Sequence, residues 1–150
     1  IIVVTGDHGE EFMENGRWGH NSTFSQQQIR VPMILHIPGL PAAQHGEMTS
    51  HLDMPATVLS ALGYDIEPTS HSAGSDLLDP GYKRDFTVVS DWHGNSLVTP
   101  DVKIIFSLRG ADYQARTTDI NDRPIDLATS GANYQSELAQ YLQQQNKFFN

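Results

Sequence analysis

The chain opens on an uninterrupted run of apolar, β-branched residues, Ile-Ile-Val-Val at positions 1–4. A short run of this kind has no polar face, which is typical of a strand covered on both sides, as in a parallel sheet with helices on each face. A second strand of similar character is predicted at residues 31–37, ending before Pro38. Because two strands cannot bury both faces of a sheet, we expect further strands upstream of Ile1 or from another chain.

The rest of the chain has two parts of different character. A helix is predicted from Asp53, as its N-cap, to Gly63, and an irregular connection fills residues 65–84. Beyond it, the pattern predicts an antiparallel meander and an amphipathic terminal helix. These strands and this helix are placed at residues 86–89, 102–108, 113–117 and 134–149. We therefore predict an α/β fold, with the second half of an α/β domain at 1–84, and antiparallel strands plus a C-terminal helix of the same domain at 85–150.

Composition excludes several classes of function. Eighteen acidic residues against nine basic ones give a net charge of −9, so we predict no nucleic-acid partner. The absence of cysteine rules out disulfides, thiolate zinc ligands and cysteine nucleophiles within these 150 residues. No apolar run approaches the length of a membrane-spanning helix, which is about 20 residues.

The residues with the clearest chemical meaning directly follow the first predicted strand. Asp7 and His8 leave this strand at its carboxyl end, the edge at which α/β sheets bind ligands. Neighbouring side chains can reach one ion only where the backbone turns, which Gly6 and Gly9 allow. A carboxylate oxygen and an imidazole nitrogen together suit a divalent metal ion, and His20 brings a second imidazole back from the glycine-rich loop.

An isolated Asp-His pair also has a plainer interpretation, as a helix cap or a solvated turn. The neighbouring acids Glu10, Glu11 and Glu14 favour the metal site, because their mutual repulsion is better tolerated beside a cation. The three glutamates themselves are interpreted as a solvated face rather than as ligands. Thr5 lies within the strand and is given a structural role rather than that of a nucleophile.

The other histidines are given structural or solvent-exposed roles. Asp53 is interpreted as a helix cap and His51 as a residue that orients its segment near the site, although their His-x-Asp spacing would also suit two metal ligands on one face. His36, alone on an apolar strand, is predicted to be a core histidine. The remaining three, His45, His71 and His93, are predicted to lie in solvated loops.

Six motifs follow one another in order along residues 1–80. They are Val3-Val4-Thr5-Gly6-Asp7-His8-Gly9-Glu10, Glu14-Asn15-Gly16, Gly19-His20, Arg30-Val31-Pro32-Met33-Ile34, Ser50-His51-Leu52-Asp53-Met54-Pro55-Ala56-Thr57-Val58-Leu59 and Gly74-Ser75-Asp76-Leu77-Leu78. Together they resemble the sulfatase-type branch of the alkaline phosphatase superfamily, and within it phosphoethanolamine and phosphoglycerol transferases and YejM-type inner-membrane proteins. The resemblance implies the C-terminal half of an alkaline-phosphatase-like α/β/α sandwich with mostly parallel strands.

The resemblance also implies roles for three residues. Asp7 and His8 match the family's pair of metal ligands, and His20 matches a catalytic histidine that contacts the transferred phosphoryl group or a further zinc ion. The implied cofactor is a divalent metal ion, whether zinc, manganese, magnesium or calcium. Such an ion lowers the pKa of a coordinated hydroxyl nucleophile, while His20 could donate a hydrogen bond to an ester oxygen.

The implied function is that of a fragment of a metal-dependent sulfatase-like hydrolase or phosphotransferase, which acts on phosphate or sulfate esters at the bacterial envelope. The family's nucleophile and first acidic ligand would lie upstream of Ile1, in a half of the same protein that also carries a membrane anchor. We therefore expect no turnover from this chain alone. The implied location is the periplasmic side of the inner membrane.

The rival interpretation is a non-catalytic sulfatase-like module that binds envelope lipid, such as lipopolysaccharide or cardiolipin, or partner proteins. Such a role would use exposed aromatics such as Trp92 and the terminal helix. Arg17 could meet an anionic head group and Trp18 a lipid interface, although packing on the protein surface explains both equally well.

Overall fold

The computed structural model describes residues 1–65, 67, 70, 72–92, 94–107, 115–126 and 134–149. Its helices and strands are, in chain order, β1 (Ile2–Thr5), β2 (Glu11–Phe12), β3 (Trp18–Gly19), α1 (Gln26–Ile29), β4 (Met33–His36), α2 (Asp53–Ala61), β5 (Thr87–Ser90), β6 (Asn95–Val98), β7 (Val102–Phe106), β8 (Arg116–Asp119) and α3 (Gln135–Phe149). The predictions for His71, His93 and residues 108, 113 and 114 lie outside the described residues.

The chain divides into two compact units. The first unit contains Ile1–Thr5 and Pro32–Asp85, and the second contains Gly6–Val31 and Phe86–Asn150. The turn that follows β1 therefore belongs to the second unit, together with the hairpin of β2 and β3 and the C-terminal sheet.

In the first unit, β1 and β4 pair as a two-stranded ribbon. The strands run antiparallel, with Val3 opposite Leu35. The prediction that β1 is covered on both faces and has a parallel neighbour is wrong for the described residues, since Ile2 is 59% exposed and Val4 is 55% exposed. Apolar composition identifies a strand but does not specify the direction of its neighbour, and a two-stranded ribbon cannot cover its own faces. The mostly parallel order of a larger sandwich stays a prediction.

Helix α2 confirms the helix predicted in this region, but its start differs from the prediction. Gly63 follows the helix with a φ of +82°, the left-handed conformation that commonly ends a helix. Leu52 precedes the first helical residue, and its side chain makes no capping hydrogen bond. Asp53 is itself helical, and its carboxylate accepts a hydrogen bond from the backbone N–H of Ser50 at 2.8 Å. The predicted N-cap role of Asp53 is therefore wrong.

The second unit contains a four-stranded antiparallel sheet in the order β5-β6-β7-β8. This sheet confirms the predicted meander and adds β6, which occupies residues interpreted as a connection. The Asn-Ser-Leu-Val sequence of β6 is too short and too mixed in polarity to predict a strand by itself. The last strand begins at Arg116, inside the predicted segment 113–117.

The core of the second unit lies between this sheet and α3. Ile104 and Phe106 are buried there, and the ring of Tyr141 lies 6.5 Å from that of Phe106 in an edge-to-face arrangement. Tyr134 and Leu138 pack against the same cluster, as the spacing that predicts an amphipathic helix requires, whereas Leu142, which the same spacing places with them, is 51% exposed. Among the described residues, no helix combines the length and the apolar character needed to cross a bilayer.

The glycine-rich stretch after β1 contains regular structure. Strands β2 and β3 form an antiparallel hairpin in which Glu11 lies opposite Gly19. Met13 and Gly16 have positive φ angles of 74° and 76°, and the N–H of Gly16 donates to the carbonyl of Met13 at 3.1 Å. Helix α1 follows the hairpin, within the segment 22–30 that is compatible with a short helix.

Candidate metal centre

Asp7 and His8 occupy the turn after β1. One oxygen of the Asp7 carboxylate accepts a hydrogen bond from the backbone N–H of His8 at 3.0 Å, and the other lies 3.7 Å from His8 Nε2. Hydrogen bonds from the backbone N–H groups of Asp7 and His8, and then the charge of the His8 imidazole, lower the pKa of Asp7. The turn thus brings a charged carboxylate and an imidazole together at the surface.

Gly9 holds this turn against α1. Its N–H donates a hydrogen bond to the carbonyl oxygen of Gln28 at 2.9 Å. A Cβ atom at position 9 would lie 2.0 Å from the carbonyl oxygen of Gln27, far inside the contact distance of the two atoms. Glycine is required because two backbones meet here, and the contact sets the positions of His8 before it and Glu10 after it.

Glu10 and His20 meet at the base of the hairpin. Nδ1 of His20 lies 2.6 Å from Oε1 of Glu10, and we assign the proton to Nδ1, which donates to the carboxylate. The His8 ring lies beside the His20 ring, with centroids 4.1 Å apart and an interplanar angle of 31°. One potential ligand atom from each of His8, Glu10 and His20 lies within 4.8 Å of the others, and all three side chains are exposed.

Glu11 anchors the hairpin from its buried side. Its carboxylate accepts hydrogen bonds from Ser25 Oγ at 2.8 Å, Gln28 Nε2 at 2.9 Å and the backbone N–H of Asn15 at 3.0 Å. Burial raises the pKa of Glu11, but these hydrogen bonds outweigh it and leave the pKa below its ordinary value. The interpretation of the three glutamates as a solvated face is wrong for Glu11, which is fully buried.

The cluster of His8, Glu10 and His20 offers a donor set that fits a divalent cation. Around an ion with ligands at about 2.0–2.2 Å, neighbouring ligand atoms lie about 3–3.5 Å apart, so these exposed side chains need only small rotations to converge. His8 Nδ1 lies 3.1 Å from the carbonyl oxygen of Gly9 and can donate to it, which leaves the Nε2 lone pair for an ion. Nitrogen and oxygen donors suit zinc, manganese and related ions without selecting one of them.

Glu10 is the member of this cluster that sequence reasoning missed. Asp7, His8 and His20 are the predicted residues; His8 and His20 lie in the cluster, and Asp7 contacts His8 without belonging to the set. The contact of Glu10 depends on the pairing of β2 with β3, which places it across from His20. The sequence signal for it is the return of the chain to an imidazole after a glycine-rich turn.

Asp53 and His51 lie in the first unit and make structural contacts. The fully buried Asp53 carboxylate pairs with the Arg84 guanidinium and accepts hydrogen bonds from the Tyr82 hydroxyl at 2.9 Å and the backbone N–H of Ser75 at 2.8 Å. Asp53 is thus occupied by protein donors. The Nε2 atom of His51 lies 3.2 Å from the hydroxyl of Thr5, at the end of β1, which agrees with an orienting role.

The prediction for His36 is wrong, and the prediction for His45 agrees with the structure. His36 is exposed on β4, so the prediction of a core histidine is wrong; the ribbon of β1 and β4 presents this side chain to solvent. The His45 side chain is 74% exposed and lies 3.7 Å from the Glu47 carboxylate, as expected for a solvated loop.

Comparisons with known proteins find sulfatase-type relatives. The Sulfatase family model matches residues 1–64, the segment that contains the cluster. The inner membrane protein YejM of Salmonella typhimurium is 24% identical over 127 residues, which are 83% of this chain and 20% of that protein. The low-salt glycan biosynthesis sulfotransferase Agl7 of Haloferax volcanii is 34% identical over 96 residues, 61% of this chain and 23% of that protein. The choline-sulfatase of Rhizobium meliloti is 27% identical over 107 residues, 69% of this chain and 21% of that protein.

These matches confirm the resemblance drawn from the motifs and imply the predicted α/β class. The chain spans about a fifth to a quarter of the length of these relatives. Sulfatases are generally metal-dependent, and the surface cluster lies within the matched residues.

Proposed function

We propose that this chain of the sulfatase-type branch of the alkaline phosphatase superfamily forms one wall of a divalent-metal site for phosphate or sulfate esters. The observation that carries the proposal is the turn and hairpin after β1, which place the Asp7 carboxylate 3.7 Å from His8 Nε2 and the His20 ring beside the His8 ring, with centroids 4.1 Å apart. This segment lies within the residues that match the Sulfatase family. The reaction is hydrolysis of the ester or transfer of its phosphoryl or sulfuryl group.

In this proposal, Asp7 and His8 hold the ion. The Asp7 oxygen that does not accept the backbone N–H of His8 lies 3.7 Å from His8 Nε2, so both atoms can turn toward one ion. His8 donates from Nδ1 to the Gly9 carbonyl, which fixes its ring with Nε2 turned away from the backbone. When bound, a divalent ion would lower the pKa of a hydroxyl nucleophile and neutralise charge that develops on the ester.

His20 acts on the ester rather than on the ion. Its Nδ1 atom is engaged by Glu10, so Nε2 is the nitrogen left to meet a group bound beside His8, whose ring lies next to that of His20. Protonated at Nε2, His20 donates a hydrogen bond to a non-bridging or leaving oxygen of the ester. Glu10 orients this imidazole and stabilises its positive charge.

The remaining parts of the proposed site belong to a longer polypeptide. We place the nucleophile, the first acidic ligand and a membrane anchor upstream of Ile1, and the site on the periplasmic side of the inner membrane. The chain spans 20–23% of these relatives, which supports a longer polypeptide, and the name of the inner membrane protein YejM supports an inner-membrane location. Turnover is accordingly expected from the complete polypeptide and not from residues 1–150 alone.

Calorimetric titration with zinc or manganese tests the ligand roles. We expect Asp7→Asn and His8→Ala to weaken metal binding by at least about tenfold, while His20→Gln keeps most of the affinity and abolishes ester turnover in the complete polypeptide. His45→Ala is the matched control, because it removes an exposed histidine that also faces a carboxylate. Equal metal affinity in all four variants would refute the site.

A second outcome separates catalysis from binding. If Asp7→Asn and His8→Ala lose metal while the envelope function of the complete polypeptide persists, the chain is a non-catalytic module for envelope lipid or a partner protein. The exposed Trp92, at 80%, is the feature that such a module would use.

A further inference from the structure

An aromatic pair stands exposed beside the candidate metal centre. Phe12 of β2 and Trp18 of β3 lie opposite each other in the hairpin, with ring centroids 5.3 Å apart and planes at 88°. Phe12 is 60% exposed and Trp18 is 70% exposed. Exposed aromatic area of this size gains nothing from folding, and a cluster of it at a polar site is typical of ligand binding.

The aromatic pair lies on the same side of the hairpin as the cluster. Glu10 and Phe12 flank Glu11, whose side chain is fully buried, so the two flanking side chains leave the strand on its exposed side. Such neighbours are about 6.6 Å apart along a strand. His20 contacts Glu10 and Trp18 contacts Phe12, so both cross-hairpin pairs are neighbours on one exposed face.

The surroundings of the aromatic pair are acidic. Residues 6–31 contain four acidic and two basic residues, a net charge of −2. The Glu14 carboxylate accepts a hydrogen bond from the backbone N–H of Phe12, which places one of these charges next to the rings. Aromatic faces and carboxylates both attract cations, and weakly hydrated quaternary ammonium groups are the ones that aromatic rings bind best.

We propose that Phe12 and Trp18 bind the quaternary ammonium group of a zwitterionic ester, whose phosphate or sulfate group occupies the neighbouring centre at His8 and His20. This inference names a substrate class for the proposed function. Only the binding of the phosphate or sulfate group rests on that function. The rings contact the alkylammonium group, and Glu14 supplies the balancing charge. The shared chemistry is that of a choline ester, whether a free small molecule or a lipid head group.

The test uses the full chain and choline itself, which has no ester group and needs no metal ion. The chain contains two tryptophans, so a Trp92→Phe background leaves Trp18 as the fluorescence reporter. We expect choline to change the Trp18 emission saturably, and its neutral isostere 3,3-dimethylbutan-1-ol to do so much less. Equal binding of the isostere would overturn the inference, because the patch would then select apolar surface rather than charge.

Variants assign the binding to the rings. By calorimetry, we expect Trp18→Leu and Phe12→Leu each to weaken choline binding by about two- to fivefold, and Phe12→Tyr, which keeps the ring, to restore it. Trp92→Phe is the matched control, since Trp92 is also exposed but lies outside the hairpin. Circular dichroism identifies any variant that fails to fold. If a leucine variant fails, the single variants Phe12→Tyr and Glu14→Gln replace it: Phe12→Tyr should keep the choline affinity, and Glu14→Gln should weaken it. Unchanged choline affinity in the folded ring variants contradicts the proposal.

Two further arms distinguish failures and sources. In His8→Ala, choline should still bind, whereas phosphocholine should lose its metal-dependent gain in affinity. A wild-type chain that binds metal but not choline would refute this inference and leave the proposed function standing. Dodecylphosphocholine micelles that bind more tightly than free phosphocholine identify a lipid head group as the source. Equal affinities identify a free small molecule.

Discussion

Two fully buried carboxylates, one in each unit, are held in different ways. Asp53 in the first unit pairs with the Arg84 guanidinium, so its charge is balanced within the fold. Glu11 in the second unit is held by neutral donors, the Ser25 hydroxyl, the Gln28 amide and a backbone N–H. Donors without a charge keep Glu11 ionised but leave its negative charge in place beneath Glu10. The first arrangement balances its charge inside the fold, and the second leaves a negative charge beneath a surface that can attract cations.

The largest effect on stability is expected when the ion pair of Asp53 and Arg84 is broken. Asp53→Asn leaves the Arg84 guanidinium, whose side chain is only 10% exposed, without its counter-charge, so we expect a loss of about 3–5 kcal/mol in unfolding free energy. Urea denaturation followed by circular dichroism measures it. The control is Asp85→Asn, which breaks an exposed pair with Lys83 at 2.6 Å and should cost less than about 1 kcal/mol. Similar losses in the two variants would contradict the role given to burial.

A glycine in each unit, Gly74 in the first and Gly9 in the second, lies where two backbones meet at very short distance. A Cβ atom would lie 1.8 Å from the Leu52 carbonyl oxygen at Gly74 and 2.0 Å from the Gln27 carbonyl oxygen at Gly9. We expect Gly74→Ala and Gly9→Ala each to cost about 1–3 kcal/mol, and Gly9→Ala also to weaken metal binding by displacing His8. Urea denaturation and zinc calorimetry check the two effects. Gly46→Ala, where a Cβ atom meets nothing within 4 Å, should leave both quantities unchanged.

Local patterns in the sequence predict the parts of the fold that depend on near neighbours. The apolar spacing of α3 and the glycine after α2 act within one helix, so both helices are predicted, although the residue at which α2 starts is not. The direction of β4 against β1 depends on how two distant segments dock, and an apolar run is silent on that point. His36 is misassigned for the same reason, since its burial depends on what covers the ribbon.

The candidate site also contains residues that the local sequence predicts and residues whose role depends on distant contacts. Asp7, His8 and His20 stand out in the sequence because glycines and a strand end surround them, whereas the role of Glu10 depends on the pairing of β2 with β3. Glu11 looks like one more exposed acid among its neighbours. Its partners lie up to 17 residues away, and only the hairpin and α1 together bring them to it.

Glu11→Gln tests the neutral-donor arrangement. The new amide N–H₂ would meet the donor of Gln28, so we expect a loss of about 1–3 kcal/mol at neutral pH. Because folding lowers the pKa of Glu11 from its ordinary 4.5, its contribution is full above pH 4.5 and is lost as the pH falls through the lower folded value. Urea midpoints measured from pH 6 down to pH 3 should therefore converge for the wild type and the variant. A constant difference across this range would show that ionised Glu11 is not what stabilises the hairpin.

The smallest expected effect is at the rim of the Asp53 pair. The Tyr82 hydroxyl lies 2.9 Å from Asp53 Oδ2 and from the Met48 carbonyl oxygen and donates to one of them at a time, so Tyr82→Phe should cost about 0.5–1.5 kcal/mol. Burial first, and then the Asp53 carboxylate, raises the pKa of Tyr82 to about 12, although Arg84 opposes this change. Ionisation is therefore easier in the unfolded chain, and the contribution of Tyr82 is full below pH 10.0 and is lost as the pH rises through about 12.

Alkaline unfolding of the wild type and Tyr82→Phe, followed by circular dichroism, checks this last expectation. The difference in stability between them should shrink above pH 10.0, with exposed Tyr64→Phe as the control that shows no such change. A difference that persists through this range would mean that the hydroxyl proton does not contribute, and that packing of the Tyr82 ring alone supports the buried ion pair. Of these two groups, only Glu11 in the second unit would then make the unfolding stability depend on pH, and it would do so at acid pH.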